Sequence, residues 1–503
     1  MGAGLTSPTS VSALPQPGIG IHPVGMIDVM TADGPHGDSG IFARIFYIIQ
    51  PDTATFDLLT REDETLLPYW IERKEYISSL LTQLKSVSRR AHWLAEWIIG
   101  ERRIRCVNKA TFATTDTLPQ KLPLVIFSHG VGSSRHQHSS LCASIASHGY
   151  VVAAIEHRDY SACWTYKIHV EPPPRLSASN SSCASYRNRP IRTEKPVTYL
   201  DVSQARECKT RNQQIHKRVA EIVRLHNFLE ECNLGLVKGS YVCFPGTSGT
   251  NSSNASDTTS SISSISWDEE NDRNTRRTKK DRSRSLSLPR SGDDDGVSRL
   301  LLGDDYDWMQ LTDRLDMSNV VVMGDGLGGA AAIAACSFSG DFTRAIVLDG
   351  QLRPLDADVY HRVDQPILFL NRPDVATPEL QARFPGGESI TLMEAEWHSF
   401  SDVSLLLRPL VGRKLLRLHG DVDAEQMAET IVHVCLAFLH MDLSVEQELT
   451  SPCSVKDRLL DSYTINPYPY PVPCPRNKLK SGSPTLALVT SSCHSPEESE
   501  IFL

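Results

Sequence analysis

The residues best placed for chemistry lie in Val320-Val321-Val322-Met323-Gly324-Asp325-Gly326-Leu327-Gly328-Gly329. A short β-branched run ends in glycines and opens into Ala330-Ala331-Ala332-Ile333-Ala334-Ala335. That reads as a buried strand, a tight turn and a helix whose small residues let it lie close to a sheet. The spacing is that of a nucleophile elbow, G-x-S-x-G, in which a strained turn lifts a serine above the sheet. Here the central residue is Gly326, which has no side chain to attack a carbonyl. Downstream, the apolar run Ala345-Ile346-Val347-Leu348 delivers Asp349 at its end, and Glu394-Ala395-Glu396-Trp397-His398 follows the strand-like Ile390-Thr391-Leu392-Met393. A carboxylate and a histidine thus follow the elbow in the chain order that an acyl-transfer triad would need.

Several elements must hold such residues. Leu122-Pro123-Leu124-Val125-Ile126-Phe127-Ser128 reads as a buried strand running into the loop His129-Gly130-Val131-Gly132. A strand-to-H-G-x-G turn is where α/β-hydrolases place one oxyanion-hole amide. A helix from Ser139 to Ser147 and a second strand, Tyr150 to Ile155, complete a βαβ unit. The expected fold class is therefore α/β, an α/β-hydrolase fold with a mostly parallel central sheet flanked by helices.

Composition excludes several functions. The chain of 503 residues carries a net charge of -9, which gives no case for nucleic acid as a partner. Its 17 histidines show no metal-ligand spacing, and its 12 cysteines are dispersed, so they read as reduced thiols of an intracellular protein. No run is long enough to span a bilayer. The expected location is cytoplasmic, with peripheral membrane contact.

The ordered motifs resemble one family, the platelet-activating factor acetylhydrolases or group VII phospholipases A2. They are His22-Pro23-Val24-Gly25, Trp70 through Tyr76, His92-Trp93-Leu94, Phe127-Ser128-His129-Gly130, Ser147 through Asp159, Arg211-Asn212-Gln213 and Asn319 through Gly329. The resemblance covers about residues 18 to 445, and the intracellular myristoylated type is most similar. It implies hydrolysis of short or oxidised sn-2 acyl chains of phospholipids, without metal or cofactor. By the same resemblance Asp349 is the triad acid, His398 the base, and the amides of Val131 and Leu327 the oxyanion hole. The position of the missing serine is Gly326.

Around this core, residues 1–17 read as a flexible start that matches the M-G-x-x-x-[ST] pattern for myristoylation of Gly2. Ile77, Leu80, Leu81, Leu84, Trp93, Leu94, Trp97 and Ile98 recur at helical spacing over Tyr76 to Arg105. Trp93, Leu94 and Trp97 there match the family's interfacial helix, beside arginines that suit a bilayer surface. The hydrolase domain occupies residues 18–245 and 297–445. Two insertions interrupt it: a surface loop at about 170–197 and a Ser-rich, mixed-charge stretch at 246–296 with too little apolar surface to order. Within the latter, Arg284-Ser285-Leu286-Ser287-Leu288-Pro289 has the form that phosphoserine-reading adaptors bind once Ser287 is modified. Residues 446–503 form a Pro-containing tail, expected to be extended.

Loss of the nucleophile alone costs on the order of a millionfold in a serine protease triad, leaving ~10³–10⁴ over water. Weak or absent turnover is therefore expected. Two routes to activity stay open: attack by the neighbouring Asp325, or slow hydrolysis by a water that His398 activates. The rival from another class is a lipid-binding or scaffold pseudoenzyme with the 246–296 stretch as its regulated arm.

Overall fold

The computed structural model describes residues 13–32, 40–50, 59, 64–83, 92–113, 119–171, 191–237, 300–373, 378–406, 422–440, 487–492 and 499–502. Gly2, Ser287 and the whole 246–296 stretch lie outside them. The chain builds one large sheet. Its strands are β1 (Val24–Thr31), β2 (Phe42–Ile48), β3 (Val107–Asn108), β4 (Leu122–Ser128), β5 (Val151–Ile155), β8 (Leu300–Leu302), β9 (Leu315–Asp325), β10 (Phe342–Leu348), β11 (Ile367–Asn371), β12 (Gly387–Leu392), β13 (Ala487–Ser492) and β14 (Ser499–Phe502). Their order is β14-β13-β12-β11-β10-β9-β4-β5-β2-β1-β3, with β8 paired to β1. From β5 through β12 all neighbours are parallel, whereas β2, β1, β13 and β14 join antiparallel at the two flanks.

The central strands are buried on both faces, which is why they read as continuous apolar runs rather than as alternating ones. Successive side chains still go to opposite sides. Leu124, Ile126, Val320 and Val322 enter one core, packed with α4 (Gln204–Asn233) and α5 (Leu327–Phe338). Val125, Phe127, Val321 and Met323 enter the other, packed with α3 (Ser139–Ala146) and α8 (Ala424–Leu439). Two short helices, α6 (Val359–Arg362) and α7 (Pro378–Gln381), flank β11. This is the α/β architecture expected, and it places the ends of β4, β9, β10 and β11 on one rim.

Three expectations change in detail. The helical pattern of Tyr76 to Arg105 resolves into two helices, α1 (Lys74–Gln83) and α2 (His92–Gly100). The insertion at 170–197 is not loop throughout. Its two ends belong to an antiparallel ribbon of β6 (Trp164–Glu171) and β7 (Ile191–Thr198), anchored where Trp164 and Tyr166 pack into a third apolar cluster. Third, part of the 446–503 tail is sheet: β13 pairs with β12, and β14 with β13. Residues 441–486, including the proline series, lie outside the described residues.

Candidate active site

The turn between β9 and α5 keeps the elbow's backbone although it lacks the elbow's serine. Gly326 has φ 54 and ψ -113. Its N–H donates to Leu348 O at 2.8 Å, and its carbonyl accepts from Gln351 N at 3.0 Å, so the turn is tied to the end of β10. A Cβ placed on Gly326 would meet nothing nearer than Gln351 Nε2 at 3.7 Å and Gly130 Cα at 4.0 Å. The site therefore has room for a side chain; only the backbone conformation disfavours one, by about 1–3 kcal/mol. Gly328 answers a different need. Any Cβ there would overlap the carbonyl of Ser128, because α5 lies directly on the end of β4.

Strand pairing sets Ser128 opposite Gly324, which brings the turn holding Val131 beside the first residue of α5, Leu327. A chain of buried groups fixes that turn. The His157 N–H donates to His129 Nε2 at 3.1 Å, so the His129 proton sits on Nδ1 and donates to Gly130 O at 2.8 Å. Burial, with Arg218 nearby, holds His129 well below the usual histidine range, and the ring stays neutral. Gly132 N donates to Ser161 O at 2.8 Å. Beneath the loop, Ser128 Oγ donates to His157 Nε2 at 2.8 Å and His157 Nδ1 donates to Glu221 Oε2 at 2.7 Å. Asp159 accepts from Arg218 Nε at 3.0 Å, with both side chains fully buried. The Ser147-to-Asp159 motif was legible as a motif; its role in a buried relay beneath the loop was not.

The predicted acid and base come to the same rim but are not joined. Asp349, itself at φ 46, accepts at Oδ2 from Arg372 Nε at 2.9 Å, while its buried Oδ1 has no hydrogen-bond partner. Burial raises its pKa, and Arg372 opposes that shift. Among the described residues no hydrogen bond links Asp349 to His398. Burial pushes His398 down to about 4, against the opposing charge of Asp325. At neutral pH the ring is uncharged and able to accept a proton.

Asp325, adjacent to the empty nucleophile position, turns toward the His129–Gly132 loop. Its Oδ2 lies 3.5 Å from Nε2 of the buried His138 and against Gly130, where a Cβ would overlap it. The loop bearing His398 is clamped to the same segment. Asp402 N donates to Gln137 O at 2.7 Å, and the Asp402 carboxylate accepts from Trp70 Nε1 at 3.0 Å and Ser140 N at 3.2 Å. Burial pushes Asp402 up to about 7. Sequence reading missed Arg372, Gln351, His138 and Asp402, because nothing in their local spacing marks them.

The rim carries exposed aromatics. Trp397, next to His398, is 63% exposed and lies under the Arg372 guanidinium at 5.5 Å. On α2, Trp93 and Trp97 are 70% and 50% exposed while Ile99 is buried, and Leu94 lies on the same helix. Among the described residues no group of three or more His, Cys, Asp or Glu side chains could hold a metal, and no helix is long and apolar enough to cross a membrane.

Comparison with known proteins gives the family. The sequence profile of the family described as platelet-activating factor acetylhydrolase, isoform II, matches residues 8–243 and 262–458. The platelet-activating factor acetylhydrolase of Gallus gallus is 26% identical over 453 residues, covering 88% of this chain and 86% of its own. That of Canis lupus familiaris is 26% identical over 438 residues, covering 86% and 78%. Among solved structures, a ferulic acid esterase from Streptomyces cinnamoneus matches at 16% identity and a TM-score of 0.45, covering 87% of this chain and 95% of that one. With the profile matched over most of its length, the chain belongs to the platelet-activating factor acetylhydrolase isoform II family.

Proposed function

We propose that this chain is a phospholipid-binding member of its family in which the acyl-enzyme route has been lost. The observation that carries this reading is Gly326: it holds the elbow's φ 54 and ψ -113, yet offers no oxygen to the substrate carbonyl. The surrounding apparatus supports a hydrolase ancestry. His398 is neutral, and two backbone amides, Val131 and Leu327, stand at the adjoining strand and helix ends. The expected substrate or ligand class is a phospholipid with a short sn-2 acyl ester, as the relatives' name implies, reached from a membrane surface. Trp93, Leu94 and Trp97 would make that peripheral contact, and no metal or cofactor enters the reading. Residual turnover would come from a water activated by His398. Attack by Asp325 fits poorly, since its carboxylate lies against Gly130 rather than over the turn.

The deciding experiment compares the native chain with Gly326→Ser on a short-chain phospholipid ester, together with a covalent serine-directed phosphonate probe. Labelling should appear only in the serine variant, with activity far above any residual turnover of the native chain. Ordinary esterase turnover and a trapped acyl adduct in the native chain would overturn the proposal.

A further inference from the structure

We propose that the carboxylate at the end of β10 serves an arginine in this chain: Asp349 holds Arg372 as a receptor for a phosphate oxyanion on the strand-end rim. The site stands on its own contacts; only the lipid as the source of the phosphate rests on the phospholipid-binding reading above. Two parts of the Arg372 guanidinium are already held. Its Nε donates to Asp349 Oδ2 at 2.9 Å, and its face lies 5.5 Å from the centre of the Trp397 ring. The two terminal nitrogens, by contrast, take part in no hydrogen bond or ion pair among the described residues. Neither is sealed in the interior, and the side chain keeps 16% of its surface open.

The backbone supplies the aim. β10 and β11 are parallel, with Leu348 opposite Leu370, so Asp349 and Arg372 leave adjacent strand ends. Asp349 N donates to Leu370 O at 2.8 Å and ties those ends together. Just before Arg372, Asn371 is fixed in a buried network with Gln381 and Ser389, with bonds of 2.9 to 3.1 Å. The carboxyl ends of parallel strands are where open α/β sheets receive ligands. A guanidinium offers its donors in a planar fork that matches two oxygens of a phosphate. With one donor held by a carboxylate and one face held by an indole, little rotamer freedom is left to lose on binding. Trp397 is 63% exposed, and its ring is 6.4 Å from that of His398. A phosphate on the open edge of Arg372 would therefore sit beside the histidine read as the base. Arg372 would touch the ligand directly and favour phosphate-bearing molecules over uncharged ones.

The test needs no turnover and follows the arginine itself in the full native chain. Arginine is labelled with ¹⁵N, and the Arg372 Nε–H signal is assigned by its loss in Arg372→Gln. Three probes are titrated: inorganic phosphate, dihexanoylphosphatidylcholine below its micelle concentration, and dihexanoylglycerol, which lacks the phosphate. At least one phosphate-bearing probe should move the signal saturably, and dihexanoylglycerol should leave it in place. By calorimetry with the probe that saturates, Arg372→Gln should bind on the order of tenfold more weakly than the native chain. Arg372→Lys, which keeps the charge and loses the fork, should fall between the two. A signal unmoved by both phosphate-bearing probes overturns the proposal. So does an equal shift with dihexanoylglycerol, or native affinity in both Arg372 variants. Saturation by the phospholipid upholds the site with a lipid headgroup as its ligand. Saturation by inorganic phosphate alone upholds it with free phosphate as the ligand, and counts instead against the phospholipid reading.

Discussion

Two histidines in this molecule face opposite fates. His157 stands in a complete Ser128–His157–Glu221 chain with bonds of 2.8 and 2.7 Å, every member buried. His398 is half-buried, and among the described residues it has no hydrogen bond to the expected acid. The first has triad connectivity in full burial; the second is partly exposed and lacks that connectivity. The contrast separates two properties usually described together. Hydrogen-bonded Ser–His–carboxylate connectivity is also a sound way to satisfy buried polar groups, and here it braces the loop carrying Val131. What marks a reaction centre instead is the strained turn and the two strand ends that meet it, both of which persist around Gly326.

The largest expected effect breaks the contrast from the His398 side. Gly326→Ser should raise ester hydrolysis on the order of a thousandfold or more over the native chain, and adding His398→Ala should abolish the gain. Steady-state assays of the two variants check this, and equal rates for both would mean that His398 is not the base. From the other side, His157→Leu should lower stability by about 2–5 kcal/mol by orphaning Ser128 and Glu221 in the core, and Ser128→Ala by about 1 kcal/mol. Chemical denaturation measures both. Ser128→Ala should leave no trace on serine-directed labelling, since Ser128 is buried beneath the loop.

A smaller effect sharpens the comparison through pH. Asp402 is pushed from its ordinary value up to about 7 by burial, so its protonated form is favoured on folding. Its contribution is greatest below the unfolded-state value near 4 and is lost as pH rises through 7. The native chain should therefore lose melting temperature between pH 5 and 8 relative to Asp402→Asn, in which Trp70 Nε1 still finds an acceptor. Parallel melting curves for the two proteins over that range would refute this assignment. The smallest change is expected at the membrane: Trp93→Ala with Trp97→Ala should weaken vesicle co-sedimentation several-fold without altering the fold, because both side chains point outward.

Much of the frame was legible in the chain. Buried parallel strands announce themselves as apolar runs, and the glycines at 324, 326 and 328 fix a strand–turn–helix. The sheet's margins were less legible. β7 reads Ile191-Arg192-Thr193-Glu194-Lys195-Pro196-Val197, a charged, proline-bearing strand of an outlying ribbon, and such composition resembles loop. β13 and β14 are short and sit within a tail dominated by proline and serine. At the site, the types of Asp349 and His398 could be read, but their partners could not. Whether Asp349 meets a histidine or an arginine depends on which side chain the end of β11 delivers, and Arg372 is separated from it by 23 positions. The orientation of Asp325 is equally a tertiary fact, set by Gly130 and His138 from another strand.

The stacking of Arg372 on Trp397 has a practical consequence. An indole that is half in water and half under a cation reports its surroundings through its emission. Any anionic headgroup that draws the guanidinium away from the ring would alter that fluorescence, giving the chain an intrinsic optical signal for ligand capture.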